Sequence, residues 1–144
     1  MQLRTTGRAA ALWLRISSII ALLFAVGHTL GGRKYWSPMG ENNPVFLAMR
    51  SVRFDVMHVS RSYLDFYMGF GYSLTVFQLM QAILLWQLAS LARTGSVSVR
   101  PMVAVFALAS IAGLVIAWQF ILPLPAIFAL VLAASLTVTF FVAR

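Results

Sequence analysis

The chain of 144 residues has no cysteine. Structural disulfides, thiolate metal centres, iron–sulfur clusters and cysteine nucleophiles are therefore excluded. Acid is almost as scarce: Glu41, Asp55 and Asp65 are the only side-chain carboxylates, against eleven Lys and Arg, giving a net charge of +8. Charge of either sign makes up only 10% of the chain, against about 25% in an ordinary soluble domain. No basic stripe is present either. The cations are scattered among helix ends and one loop, which excludes a nucleic-acid partner and fits the headgroup side of a membrane.

What is there instead is apolar. Hydrophobic residues make up 61% of the chain, and its mean hydropathy is +0.89. Such a chain would expose too much apolar surface in water, so a lipid bilayer is its expected solvent and first partner. Four runs are long enough to span it. The first covers about 9–30, the second 66–91, the third 101–122 and the fourth 126–143, with a polar loop over 31–65. The charged start and the Ile19–Val26 core also fit a secretory signal peptide ending at Ala25-Val26-Gly27. The length of the run favours an anchor that stays, with Arg15 snorkelling to the headgroups.

The connections shape the expected fold. Gly31-Gly32 is expected to end the first helix. Arg33, Lys34, Tyr35 and Trp36 then form an interfacial cluster, followed by the turn residues Ser37-Pro38 and 40–44. Asn43 is suited to cap a short helix with Pro44 at its first position. Val45, Met49, Val52 and Val56 recur at helical spacing, so this amphipathic helix is expected to continue toward His58. Thr94–Arg100 and the pair Pro123/Pro125 read as tight turns. The result is an all-α, four-helix, up-and-down integral membrane bundle, in one domain, with a long loop between spans 1 and 2. Small residues four apart mark its expected packing strips: Gly69 and Ser73, then Ala109, Gly113 and Ala117, then Ala129 and Ala133. With the N-terminus inside, six cations face the cytoplasm and five lie outside. The positive-inside rule therefore leans to cytoplasmic termini.

The residues able to do chemistry concentrate between His28 and Ser73. This stretch holds both histidines, all three acids and five of the eleven basic residues. His28 is an ionisable group near the end of a span, and hence a candidate ligand contact or proton relay, or else an interhelical hydrogen-bonding group. Asp55 and His58 would share a face on one helix. Arg61 and Asp65 are placed for an i,i+4 ion pair at the mouth of span 2. The aromatics that follow, Tyr67 among them, are suited either to an interfacial belt or to lining a cavity for a flat lipophilic ligand. No metal-ligand spacing is present, and no cofactor can be assigned.

Gly27-His28-Thr29-Leu30-Gly31, then Ser62-Tyr63-Leu64-Asp65-Phe66-Tyr67-Met68-Gly69-Phe70-Gly71-Tyr72-Ser73, then Leu84-Leu85-Trp86-Gln87-Leu88 carry a resemblance. Over residues 16–90 the chain resembles an uncharacterised family of small four-span bacterial membrane proteins. The resemblance implies a bacterial inner-membrane location and draws attention to His28, Asp65, Tyr67, Gly69 and Gly71. It implies no activity.

Three functions remain open at this point. The first is a non-catalytic accessory or scaffold subunit of a larger membrane complex, with a protein partner or a second copy of the chain. The second is a binder of a lipid, quinone or pigment near His28 and Asp65, with Arg61, Tyr67 and His58 nearby. The third is a small membrane enzyme using His28 and Asp65 for acid–base work. A channel is disfavoured by the lack of an inverted repeat or a broken central helix.

Overall fold

A computed structural model describes residues 2–35, 40, 42–95 and 98–143, with side chains described from 7 to 31 and then throughout the later ranges. The interfacial cluster expected at Arg33–Trp36, the Ser37-Pro38 turn and Glu41 lie outside the residues described at side-chain level. In chain order the elements are α1 (Gln2–Tyr35), α2 (Pro44–Ser51), β1 (Arg53–Val56), β2 (Val59–Ser62), α3 (Tyr63–Thr94), α4 (Arg100–Phe120) and α5 (Pro123–Val142). Four of the helices are long and apolar enough to cross a membrane: the Gly7–Gly31 part of α1, and all of α3, α4 and α5. The chain divides into two compact units, residues 1–24 with 78–144, and residues 25–77.

The first unit is built on small residues. Leu14, Val103, Leu85 and Leu136, one from each long helix, are fully buried in a single core cluster. Around them the buried positions are largely alanine: Ala10, Ala11, Ala21, Ala82, Ala89 and Ala107. Large apolar side chains point outward instead, as at Leu108, Trp118 and Phe141. This is how helices associate in lipid. No hydrophobic driving force separates leucine from an acyl chain, so close backbone approach and dispersion decide the interface. Gly7 is the extreme case, since a Cβ there would lie 2.7 Å from the carbonyl oxygen of Ala92. Within this unit, hydrogen bonds also cross between helices: the Ser17 and Ser135 hydroxyls meet at 2.7 Å, and Ser18 donates to the Ala82 carbonyl at 2.7 Å. Arg15 sets its guanidinium 5.0 Å from the Trp86 ring centroid.

Several expected boundaries move. α1 does not stop at Gly31-Gly32 but runs on to Tyr35. α3 starts at Tyr63 and closes where Gly95 takes φ +66 and its N–H bonds the Leu91 carbonyl. Pro123 and Pro125 are not a loop. They form the first turn of α5, where a missing N–H leaves no intrahelical bond unmade, and only Ile121 and Leu122 separate α4 from α5. The small-residue strip expected on α4 faces differently as well. Ala117 is buried but Ala109 is exposed, and a Cβ on Gly113 would meet nothing within 4 Å. The buried line is Val103, Ala107, Ser110 and Ala117. On α5, Ala129 and Ala133 are both buried.

The second unit holds the largest departure from expectation. In α2, Asn43 Oδ1 accepts the Val45 N–H at 2.9 Å, and Pro44 sits in the first turn. The helix stops at Ser51 rather than continuing toward His58. Residues 53–62 form an antiparallel hairpin, with Arg53 opposite Ser62, Phe54 opposite Arg61, Asp55 opposite Ser60 and Val56 opposite Val59. The Tyr63 N–H extends this pairing to the Val52 carbonyl. The two-residue turn places Met57 at φ 53 and His58 at φ 66. Positive φ at both central residues defines the type I′ turn that matches strand twist, and it is a role suited to Asn and Gly. For side chains like these it costs about 1–2 kcal/mol per residue. Asp55 and His58 therefore lie on a strand and a turn, not on one helix face.

Two expectations follow. Gly7→Ala drives a Cβ into backbone that cannot swing aside and lowers stability in detergent by about 1–3 kcal/mol, whereas Gly113→Ala is neutral or gains up to about 1 kcal/mol. Thermal unfolding of the two variants separates these effects. Replacing the turn, Met57→Asn with His58→Gly, stabilises the hairpin by about 1 kcal/mol or more. Slower amide exchange at Val56 and Val59 reports that gain.

Candidate functional site

Within residues 25–77 the hairpin is fastened directly onto α3. Phe54 on β1 packs its ring against Tyr63 at 5.2 Å and against Phe66 at 5.8 Å, and Phe66 meets Phe70 edge-on at 4.9 Å. β2 runs into α3 with no intervening residue. The junction is closed by a reciprocal exchange. The Asp65 N–H donates to Ser62 Oγ at 3.1 Å, while the Ser62 N–H donates to Asp65 Oδ2 at 2.9 Å. This is a capping box with aspartate in place of the usual glutamate, and it satisfies two of the N–H groups that a helix start leaves unpaired. Buried Ser62 makes the exchange more valuable, because an unpaired donor there would have little water to turn to. Asp65 thus serves the fold, and it makes no ion pair with Arg61 among the described residues.

His28 is also engaged. Its Nε2 lies 3.1 Å from the Gly71 carbonyl oxygen. A carbonyl only accepts, so Nε2 carries the proton and donates. One residue on, Thr29 and Thr75 join the same contact between α1 and α3. Their hydroxyl oxygens lie 3.0 Å apart, with Thr29 Oγ1 2.8 Å from the Ala25 carbonyl and Thr75 Oγ1 3.2 Å from that of Gly71. Two hydroxyl protons serve these three contacts. When Thr75 donates to Thr29, Thr29 donates to Ala25 and Gly71 is left to His28 and the helix. Gly71 is not required sterically, since a Cβ there would sit 3.9 Å from His28 Nε2, an ordinary contact.

The other expected residues lie elsewhere on the hairpin and α3. His58 sits exposed in the hairpin turn, and Tyr67 is exposed on α3. Gly69 and Ser73, expected to mark a packing strip, meet no neighbouring helix among the described residues of this chain. Both are exposed, and a Cβ on Gly69 would meet nothing within 4 Å. They line an open groove of about 340 Å³ with Arg61, Asp65, Phe66 and Phe70. Arg61 donates from Nη1 to the Ser60 carbonyl at 3.0 Å, and Arg53 donates from Nη2 to the same oxygen at 3.2 Å and from Nε to Ser60 Oγ at 3.2 Å. Among the described residues no interaction joins His28 to Asp65, and among them no cluster of three His, Asp or Glu is placed to hold a metal.

Ser62, Thr75, Arg53 and Ser60 were not among the residues expected from sequence. Ser62 had a readable signal, the Ser-x-x-Asp spacing before an apolar run. The Arg53–Ser60 contact depends on the hairpin and had none. Comparison with family models, with curated protein sequences and with solved structures returns no match. The fold alone defines the class: a small membrane protein with four helices long and apolar enough to cross a bilayer.

The capping pair is open to a double-mutant cycle. Ser62→Ala and Asp65→Ala each cost about 1 kcal/mol. Each change removes one acceptor and leaves the other bond's backbone donor in place, so the double variant is expected to cost less than the sum only in so far as each bond holds the helix entry in the geometry the other needs. Additive losses in thermal unfolding would show that the two bonds act independently.

Proposed function

We propose that this chain is a non-catalytic subunit, an up-and-down bundle that acts as accessory or scaffold within a larger membrane complex. On this reading it belongs with the small four-span bacterial family it resembles, lies in the inner membrane, and keeps both termini in the cytoplasm. One observation carries the reading: the groups best suited to acid–base work are taken up by the fold. Asp65 closes the entry of α3, and His28 holds the Gly71 carbonyl. A catalytic pair needs groups within reach of one proton on a substrate, and these two are committed to different backbone sites.

A second reading, a binder of a lipophilic ligand, is favoured by the groove along α3. It moves the ligand away from His28 and onto Arg61, Phe66, Gly69 and Phe70.

Gentle purification from native membranes, followed by mass spectrometry of what accompanies the chain, tests the first reading. A protein partner at fixed stoichiometry is the expected result, and it persists when His28 is changed to Gln. A monodisperse monomer carrying no protein overturns the scaffold reading.

A further inference from the structure

We propose that the groove at the start of α3 binds one anionic phospholipid, with its phosphate on Arg53 and Arg61 and an acyl chain over Gly69. The inference rests on the second reading above and names its ligand class. It begins with two like charges gathered at one point. Antiparallel pairing alternates hydrogen-bonded and open residue pairs. Val56 and Val59 close the turn as a bonded pair, so the Ser60 carbonyl next to it faces outward from the ladder. Both guanidiniums converge on that single oxygen, at 3.2 and 3.0 Å. Among the described residues neither meets a carboxylate within ion-pair distance. A guanidinium has five N–H donors, so most remain free on both. A shared phosphate relieves the repulsion between them and takes up those donors in charge-assisted bonds.

The rest of the groove suits the remainder of the same molecule. From Arg61 it runs past Phe66 and Phe70 to Ser73, with Gly69 as its floor. Phe66 to Ser73 spans about 10 Å of helix rise. The Phe66–Phe70 pair, packed edge-to-face, walls one side with apolar surface. Asp65, the one acid in the groove, has Oδ2 bonded to the Ser62 N–H. Depth is right as well. Arg61 precedes by two residues the point at which α3 becomes a candidate span at Tyr63, which is headgroup level. A lipid therefore has its phosphate at the cations and its chain along the helix.

The test uses the full chain in mild detergent, supplied with equal phosphatidylglycerol and phosphatidylcholine and read by native mass spectrometry. The expected result is one retained phosphatidylglycerol per chain. Retention falls about tenfold for Arg53→Gln with Arg61→Gln, stays unchanged for Arg93→Gln at the far end of α3, and is lost for both lipids in Gly69→Leu. Equal retention of the two lipids, insensitive to the arginines but abolished by Gly69→Leu, overturns the phosphate assignment while leaving the lipophilic groove intact. Retention that no variant alters overturns both. Unchanged thermal unfolding of the arginine variants, whose side chains are exposed, shows that the fold is retained.

Discussion

Every polar group placed in a span must find its partner within the protein, because the hydrocarbon interior offers no water to replace it. That constraint explains most of the side-chain chemistry here. Thr29, Ser110, Thr137 and Thr139 each turn a hydroxyl back to the carbonyl four residues earlier, at 2.8–2.9 Å. Ser17 with Ser135, Ser18 with Ala82, His28 with Gly71, and Thr29 with Thr75 make bonds between helices. Among the described residues, two buried atoms stand outside the pattern, Arg15 Nε and Gln78 Oε1. Arg15 is compensated in part by the Trp86 ring, since a cation over an aromatic face is stabilised without a hydrogen bond.

The same constraint sets the packing. Interhelical hydrogen bonds average well below 1 kcal/mol in membranes, so they orient helices more than they bind them. Binding falls to close contact, and close contact needs small residues. Alanine therefore fills the buried lines of α1 and α3, and Gly7 stands where a Cβ would run into the backbone of α3. Outside a few central leucines, most of the large apolar side chains, Leu108, Trp118 and Phe141 among them, are left for the outside.

This reversal decides what could be read from sequence. The four spans were legible, because an apolar run of that length has few other uses. Which face of each helix meets a neighbour was not. A helix apolar all round has lost the periodicity that marks a buried face. Small residues at four-residue spacing then point equally to Ala109, which is exposed, and to Ala129, which is buried. The hairpin was illegible for a different reason. Its strands are four residues each, and its turn carries Met57-His58 where a readable I′ turn has Asn-Gly. Val52 and Val56 also continued the helical spacing of α2, so the local pattern argued for the wrong element. Without the hairpin, Arg61 and Asp65 looked like an i,i+4 ion pair. With it, Arg61 lies on a strand and Asp65 caps a helix.

Charge supply then bears on function. A chain with three acids has little capacity to pair its cations internally, and Asp65 is already bonded to backbone. Among the described residues the hairpin arginines donate to Ser60, a neutral partner, and Asp65 offsets their charge only at a distance, without an ion-pair contact. Such cations at the head of a span attract anions from their surroundings rather than transfer protons, because a guanidinium does not titrate in the physiological range. The proposed phospholipid site draws on that balance. The surface most able to recognise is the one where the hairpin gathers two cations beside an apolar groove.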